Sequence, residues 1–198
     1  LNMHYTIADP KTFGISEYEP VLPIYHSDQP EDSKEHCSDL LHRLDRIDPD
    51  RLSPENAYTY RLLHRSLEND LALADFPYYN EPLSPSSGMQ SQLPVLLAEY
   101  TFRTKRDVTD YLALLDQIDD YFASLLLYEQ EKAAAGFFMP ACSSEKVRKQ
   151  CDTIVTTEEL AQGTHFLQTT FEDRLSELQK QGLFTPEETA SLIETNDR

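Results

Sequence analysis

Apolar residues recur at intervals of three and four along most of the chain, and one long stretch breaks the pattern. Over residues 31–47, Cys37, Leu40, Leu41, Leu44 and Ile47 form a stripe with charge on the opposite face. That predicts an amphipathic helix, stopped by Asp48 and Pro49. Ser53 followed by Pro54 is a helix start, because the hydroxyl caps free amides and proline needs no donor at the first position. Tyr58, Leu62, Leu63, Leu67, Leu71 and Ala74 continue it as a stripe ending near Asp75. The short loop between these helices predicts an antiparallel pair.

Beyond residue 103 the periodicity returns. Thr104 and Asp107 have the spacing of a capping box and open a helix of about 30 residues, with Val108, Leu112, Leu115, Ile118, Phe122, Leu125, Leu126 and Ala133 inward and Gly136 as terminator. After the break FFMPAC, Ser143 or Ser144 is the cap expected for a helix carrying Val147, Cys151 and Ile154. Residues 164–181 repeat the pattern with Leu167, Phe171, Leu175 and Leu178, closed by Gly182. Thr185, Pro186 and Glu188 then form the strongest start signal in the chain.

The stretch that breaks the pattern is 76–103. Pro77, Pro82, Pro85 and Pro94, with Gly88 among them, forbid a continuous helix from 77 to 94. Yet Phe76, Tyr78, Tyr79, Tyr100 and Phe102 are too apolar for a solvated linker. The expectation is an ordered, extended insertion packed on helices. The fold predicted is all-α: about six helices in an irregular bundle with one long extended insertion, part of a larger helical domain. As domains, 1–198 read as a single helical domain or fragment, with an irregular start and helical hairpin over 1–75, the insertion over 76–103, and a long helix with three shorter ones over 104–198.

Charge narrows the partners. A net charge of -18, from 35 acidic and 17 basic residues, repels phosphate backbones, so nucleic acid is not an expected partner. No apolar run reaches the ~20 residues of a transmembrane segment, and residues 1–9 lack the pattern of a leader peptide. Three cysteines, Cys37, Cys142 and Cys151, make no disulfide framework and read as buried free thiols.

Candidate chemistry is sparse. No histidine pair has the helical zinc-binding spacing; His26, His36, His42, His64 and His165 read as surface or interfacial groups. Asp116, Asp119 and Asp120 read as solvated charge, and Ser84, Ser86, Ser87 and Ser91 lack a nucleophile elbow. Five unclustered glycines exclude a phosphate-cradling loop. What remains is 88–94. Gln90 and Gln92, beside Gly88, offer amides to a peptide-like ligand, or else satisfy buried backbone at helix ends. Gly88, Gln90 and Gln92 are the candidate substrate-binding residues; no catalytic residue and no metal ligand is assigned in this chain.

The runs DPKTFGI, LDRIDPDRLSPENAYTYRLLHRSL, FPYYNEPLSPSSGMQSQLPVLLAEYTFRTKRDVTDYL, EKAAAGFFMP and EKVRKQC resemble the amino-terminal half of the bacterial domain-of-unknown-function 885 family. The match is most specific over 48–140. The resemblance implies a mostly helical protein similar to carboxypeptidase-type zinc peptidases of the thermolysin clan. Their metal ligands lie in a carboxyl-terminal half, so none carries over to a residue here. It therefore implies the helical amino-terminal part of a zinc metallopeptidase-like hydrolase, inactive alone, with residues 88–94 lining a substrate cleft. No cofactor is expected in this chain, and zinc in the full-length protein. The alternative is a free-standing helical binding module without enzymatic activity. Expected partners are the missing half or a second copy, meeting exposed apolar faces on the last two helices. A peptide-like ligand is also expected. The family's exported and lipoprotein members leave the compartment open between cytoplasmic and exported.

Overall fold

The structure, a computed structural model, describes residues 17–25 and 29–197, the side chains of 29–33 excepted; the irregular beginning expected over 1–15 and His26 lie outside these. The described residues form helices and no strand: α1 Gln29–Leu44, α2 Pro54–Leu73, α3 Met89–Ala98, α4 Lys105–Leu115, α5 Ile118–Ala134, α6 Ala141–Ile154, α7 Thr157–Gln162, α8 Phe166–Lys180 and α9 Pro186–Asn196. A 3-10 turn, Pro49–Arg51, lies between α1 and α2. The chain is all-α, and the three helices beyond the expected six each have a local cause.

The first is α3, inside the stretch expected to be extended. Residues 76–88 are non-helical as the prolines demand, but Pro94 sits within α3. Proline at the sixth position removes one bond, that to the Gln90 carbonyl, while the Gln92 amide still donates to the Gly88 carbonyl at 3.0 Å. Burial of Leu93 and Leu97 outweighs that loss. The second is a division of the long helix between α4 and α5. The Gln117 side-chain amide donates to the Ala113 carbonyl at 2.6 Å, taking the acceptor that its own backbone N–H needs; that N–H turns to the Leu114 carbonyl instead, at 3.3 Å. The helix tightens there and resumes at once. The third, α7, is capped by Thr156, whose hydroxyl accepts from the Glu159 amide.

Several starts are as predicted. Ser53 caps α2, and Thr104 with Asp107 and Thr185 with Glu188 form complete capping boxes on α4 and α9. Other expectations are corrected. Neither Ser143 nor Ser144 caps α6, which begins earlier, after Pro140, whose carbonyl accepts from the Ser143 and Ser144 amides. Cys142 and Cys151 are exposed residues, not buried ones. His165 is a buried cap, not a surface group: its Nδ1 accepts from the Leu167 amide at 3.3 Å and its Nε2 donates to the Ile154 carbonyl at 2.8 Å. The last two helices expose no large apolar side chain, because α8 turns Phe171, Leu175 and Leu178 inward and α9 packs on it.

The residues group into two compact units, with the boundary on α5 between 123 and 124. One, the α3 unit, comprises 17–24, 82–123 and 139–197. Its core joins Leu93 and Leu97 of α3, Val108, Tyr111 and Leu114 of α4, and the inward row of α8. Phe102, Tyr111 and Phe171 form an aromatic cluster with centroids 5.4 to 5.5 Å apart. The other, the hairpin unit, comprises 25–81 and 124–138. There α1 and α2 pack on one another as predicted, yet no residue of α2 is buried. Among the described residues its buried groups, Leu125, Tyr128 and Lys132, all come from α5.

Candidate functional site

The candidate residues 88–94 form the first turn and a half of α3 and the residue that caps it. Gly88 lies where the chain doubles back, its N–H donating to the Ser84 carbonyl at 3.0 Å. A Cβ there would stand 2.2 Å from the Ser84 nitrogen and 2.6 Å from its carbonyl oxygen, so only glycine allows this approach. Its φ of -73° shows that the requirement is space and not backbone conformation.

Gln90 and Gln92 part company. Gln90 is 4% exposed, and its Nε2 donates to the Ser84 carbonyl at 2.7 Å and to Gln150 Oε1 at 2.9 Å. The Gln150 amide in turn donates to the Pro85 carbonyl at 2.9 Å, so the two glutamines fasten the 82–88 turn to α6. Both Gln90 amide hydrogens are used in this way, and the side chain braces the site from behind. Gln92 lies on the exposed face of α3, one turn from Gly88, open to a ligand.

The far end of α3 is held by a residue that the sequence did not single out. Arg174 of α8 donates through Nη1 to the Leu97 carbonyl at 3.1 Å and to the Tyr100 carbonyl, and through Nε to the Thr170 carbonyl at 2.7 Å. A cation at a helix C-terminus meets the negative end of its dipole. The guanidinium also lies 4.5 Å from the Phe102 ring centroid and 5.0 Å from that of Tyr111. Burial pushes the Tyr111 hydroxyl above its ordinary value, with Arg174 opposing. A lone arginine seventy positions downstream carries no local pattern that announces this.

Held at both ends, α3 separates two cavities. A cavity of about 400 Å³ opens on one flank, walled by Met89, Leu93 and Tyr100 and closed by Leu22, Asp110 and Tyr121. Gln117 positions the strip that covers it, donating to the Pro20 carbonyl at 2.8 Å and accepting from the Leu22 amide at 2.9 Å. The charge in its wall, Asp110, is nearly buried and pairs with Arg106 at 3.3 Å. On the other flank a cavity of about 180 Å³ is lined by Gln90, Leu93, Leu97, Phe122, Cys151 and Leu167. Partial burial, then the adjacent Asp152 carboxylate, raise the Cys151 thiol's pKa, which keeps it protonated and poorly nucleophilic. Among the described residues no three of His, Cys, Asp and Glu gather to hold a metal ion.

Residues 11–195 match the family model described as bacterial protein of unknown function, DUF885. No curated protein and no solved structure matches the chain. With nearly its whole length inside that match, the chain belongs to the DUF885 family.

Proposed function

We propose that this chain is the helical, cleft-walling part of a metallopeptidase-like hydrolase, and that α3 with its Gly88 turn is the wall a peptide-like substrate meets. The supporting observation is the mounting of α3. A ten-residue helix with an internal proline is fastened at its start through Gln90 and Gln150 and at its end by Arg174; its Met89 and Leu93 wall an apolar cavity of about 400 Å³, and its Gln92 is exposed. A binding surface on a rigidly held short element loses little order when it binds. In this reading Gly88 and Gln90 set the wall and Gln92 touches the ligand. Zinc belongs to the full-length protein, and no step of its chemistry falls to the residues described here.

The test separates contact from support. In the full-length protein, Gln92→Ala should lower kcat/KM against a peptide library about tenfold while Tm stays within about 1 °C, because an exposed side chain contributes little to folding. Gln90→Ala should lower Tm by several degrees as well, because it strips the turn of its brace. Unchanged turnover in Gln92→Ala, or a full-length product with neither zinc nor peptide cleavage, would overturn the reading. The second result would leave the free-standing binding module, a reading favoured by the exposed Phe76, Tyr79, Phe137 and Phe138.

A further inference from the structure

The hairpin unit contains a concavity of about 440 Å³ lined by Asp75, Phe76, Pro77, Tyr78, Tyr79 and Phe137. Its walls are rings left open to solvent: Phe76 is 63% exposed, Tyr79 78% and Phe137 55%. Side chains of this size are the largest single contributors to apolar burial, and several exposed together mark a surface made for contact.

The rings are mounted, not merely exposed. The Tyr128 hydroxyl lies 3.0 Å from the Pro77 carbonyl oxygen and 3.1 Å from that of Asn80, which share its proton. Lys132, almost fully buried, donates to the same Asn80 carbonyl at 3.3 Å and pairs with Glu81 at 2.8 Å. Together they pin 77–81 to α5. The helix then ends on Gly136 at φ 87°, with the Phe137 amide donating to the Lys132 carbonyl and the Gly136 amide to Ala133. This is a Schellman stop, and it swings Phe137 toward the same wall. The Tyr78 ring lies 5.9 Å from Phe137 and 6.0 Å from Tyr128, so the wall is a row of rings backed by a buried one.

Asp75 is the one carboxylate in the lining. In the α3 unit two arrangements set a cation between a ring and a carboxylate. Arg106 lies 4.4 Å from the Tyr18 centroid and 3.3 Å from Asp110; Lys105 lies 4.7 Å from the Phe184 centroid and 3.1 Å from Glu188. Over Phe76, Tyr78, Tyr79 and Phe137 no cation lies among the described residues. Asp75 meets Lys34 at 2.6 Å, but both side chains are well exposed, and such a pair is readily exchanged. The net charge of -18 adds a general attraction for cations.

We propose that this concavity binds an arginine side chain from a basic segment of another protein, the guanidinium flat against Phe76 and Tyr79 and forked onto Asp75. Arginine is the better occupant than lysine because its planar group stacks on rings and bonds a carboxylate through two parallel N–H groups.

The probe is the peptide Gly-Ser-Gly-Arg-Gly-Ser-Gly, titrated into the full chain and followed by NMR, alongside versions with lysine, leucine or uncharged citrulline replacing arginine. Shifts confined to 75–79 and 137, with the arginine peptide at least about fivefold tighter than the citrulline and leucine peptides, are expected. Phe76→Ala and Tyr79→Ala should each weaken it about fivefold. Their side chains project outward, so Tm and circular dichroism should stay unchanged. Citrulline or leucine peptides binding equally well would overturn the proposal in favour of a merely apolar site. Absence of shifts at about 10 mM peptide, weaker than any affinity that the argument permits, would overturn it too. So would self-association abolished by Tyr79→Ala, which would make a second copy the occupant.

Discussion

Helices α2 and α3 invert each other. The longer, α2, has twenty residues, a proline-led capped start and a regular apolar stripe, yet buries no residue and leaves Tyr58, Leu62, Leu63 and Leu73 exposed. Ten-residue α3 has an internal proline, no side-chain cap and no acidic first turn, yet buries Gln90, Leu93 and Leu97. Local signals say where a helix forms, whereas burial depends on what surrounds it. A regular stripe is strong evidence for helix and weak evidence for core. What α3 lacks in propensity is supplied by Gln150 at one end and Arg174 at the other.

That contrast breaks most visibly at Gly88. An alanine Cβ would stand 2.0 Å from Gln90 Oε1 as well as against the Ser84 backbone. The amide end can swing aside, but the backbone cannot. Gly88→Ala should therefore cost about 3 kcal/mol or more, seen as a Tm fall of about 10 °C. Near-wild-type melting would show that the turn is free to relax and that α3 is not held at its start.

A smaller effect is expected in the hairpin unit at Tyr128. Its hydroxyl pKa is pushed up to about 12, chiefly by burial and further by the Glu129 and Glu81 carboxylates. With the folded value above the unfolded one of 10.0, the folded state holds the proton more tightly. That contribution is complete below the unfolded value and is lost as pH rises from 10.0 through about 12. Tyr128→Phe removes the bonds to Pro77 and Asn80, at about 1 to 2 kcal/mol near neutral pH, and should flatten that alkaline loss in pH-dependent melts. An unchanged alkaline slope would locate the proton elsewhere.

Helix starts were legible at Ser53, Thr104 and Thr185, where a cap and its third-position partner lie within four residues, while the same spacing at Thr156 and Glu159 opens α7, which the apolar pattern did not predict. Legibility failed where a partner is distant in sequence. Gln117 reaches Pro20 and Leu22 and divides a helix; Gln90 reaches Gln150; His165 turns inward to Ile154. Each is one ordinary polar residue whose role exists only after folding. The candidate site was legible in part for the same reason. Gly88 could be picked out as a turn, but which glutamine braces and which is open depends on where α6 lies.

The smallest effect, and the one that most sharpens the comparison, belongs to α2. If its stripe serves helix formation and surface contact but not the core, Tyr58→Gln and Leu62→Gln should each change stability by less than about 0.5 kcal/mol, a Tm shift within about 2 °C. Both side chains are more than half exposed, so little apolar area re-enters water when they are replaced. Glutamine also keeps nearly the helix propensity of leucine, which leaves the helix itself undisturbed. A loss of several degrees would mean that α2 is buried in solution by something the chain does not itself provide at these positions. Repeating the melt at a tenfold lower protein concentration would identify that cover: a concentration-dependent Tm points to a second copy, since association stabilises by mass action.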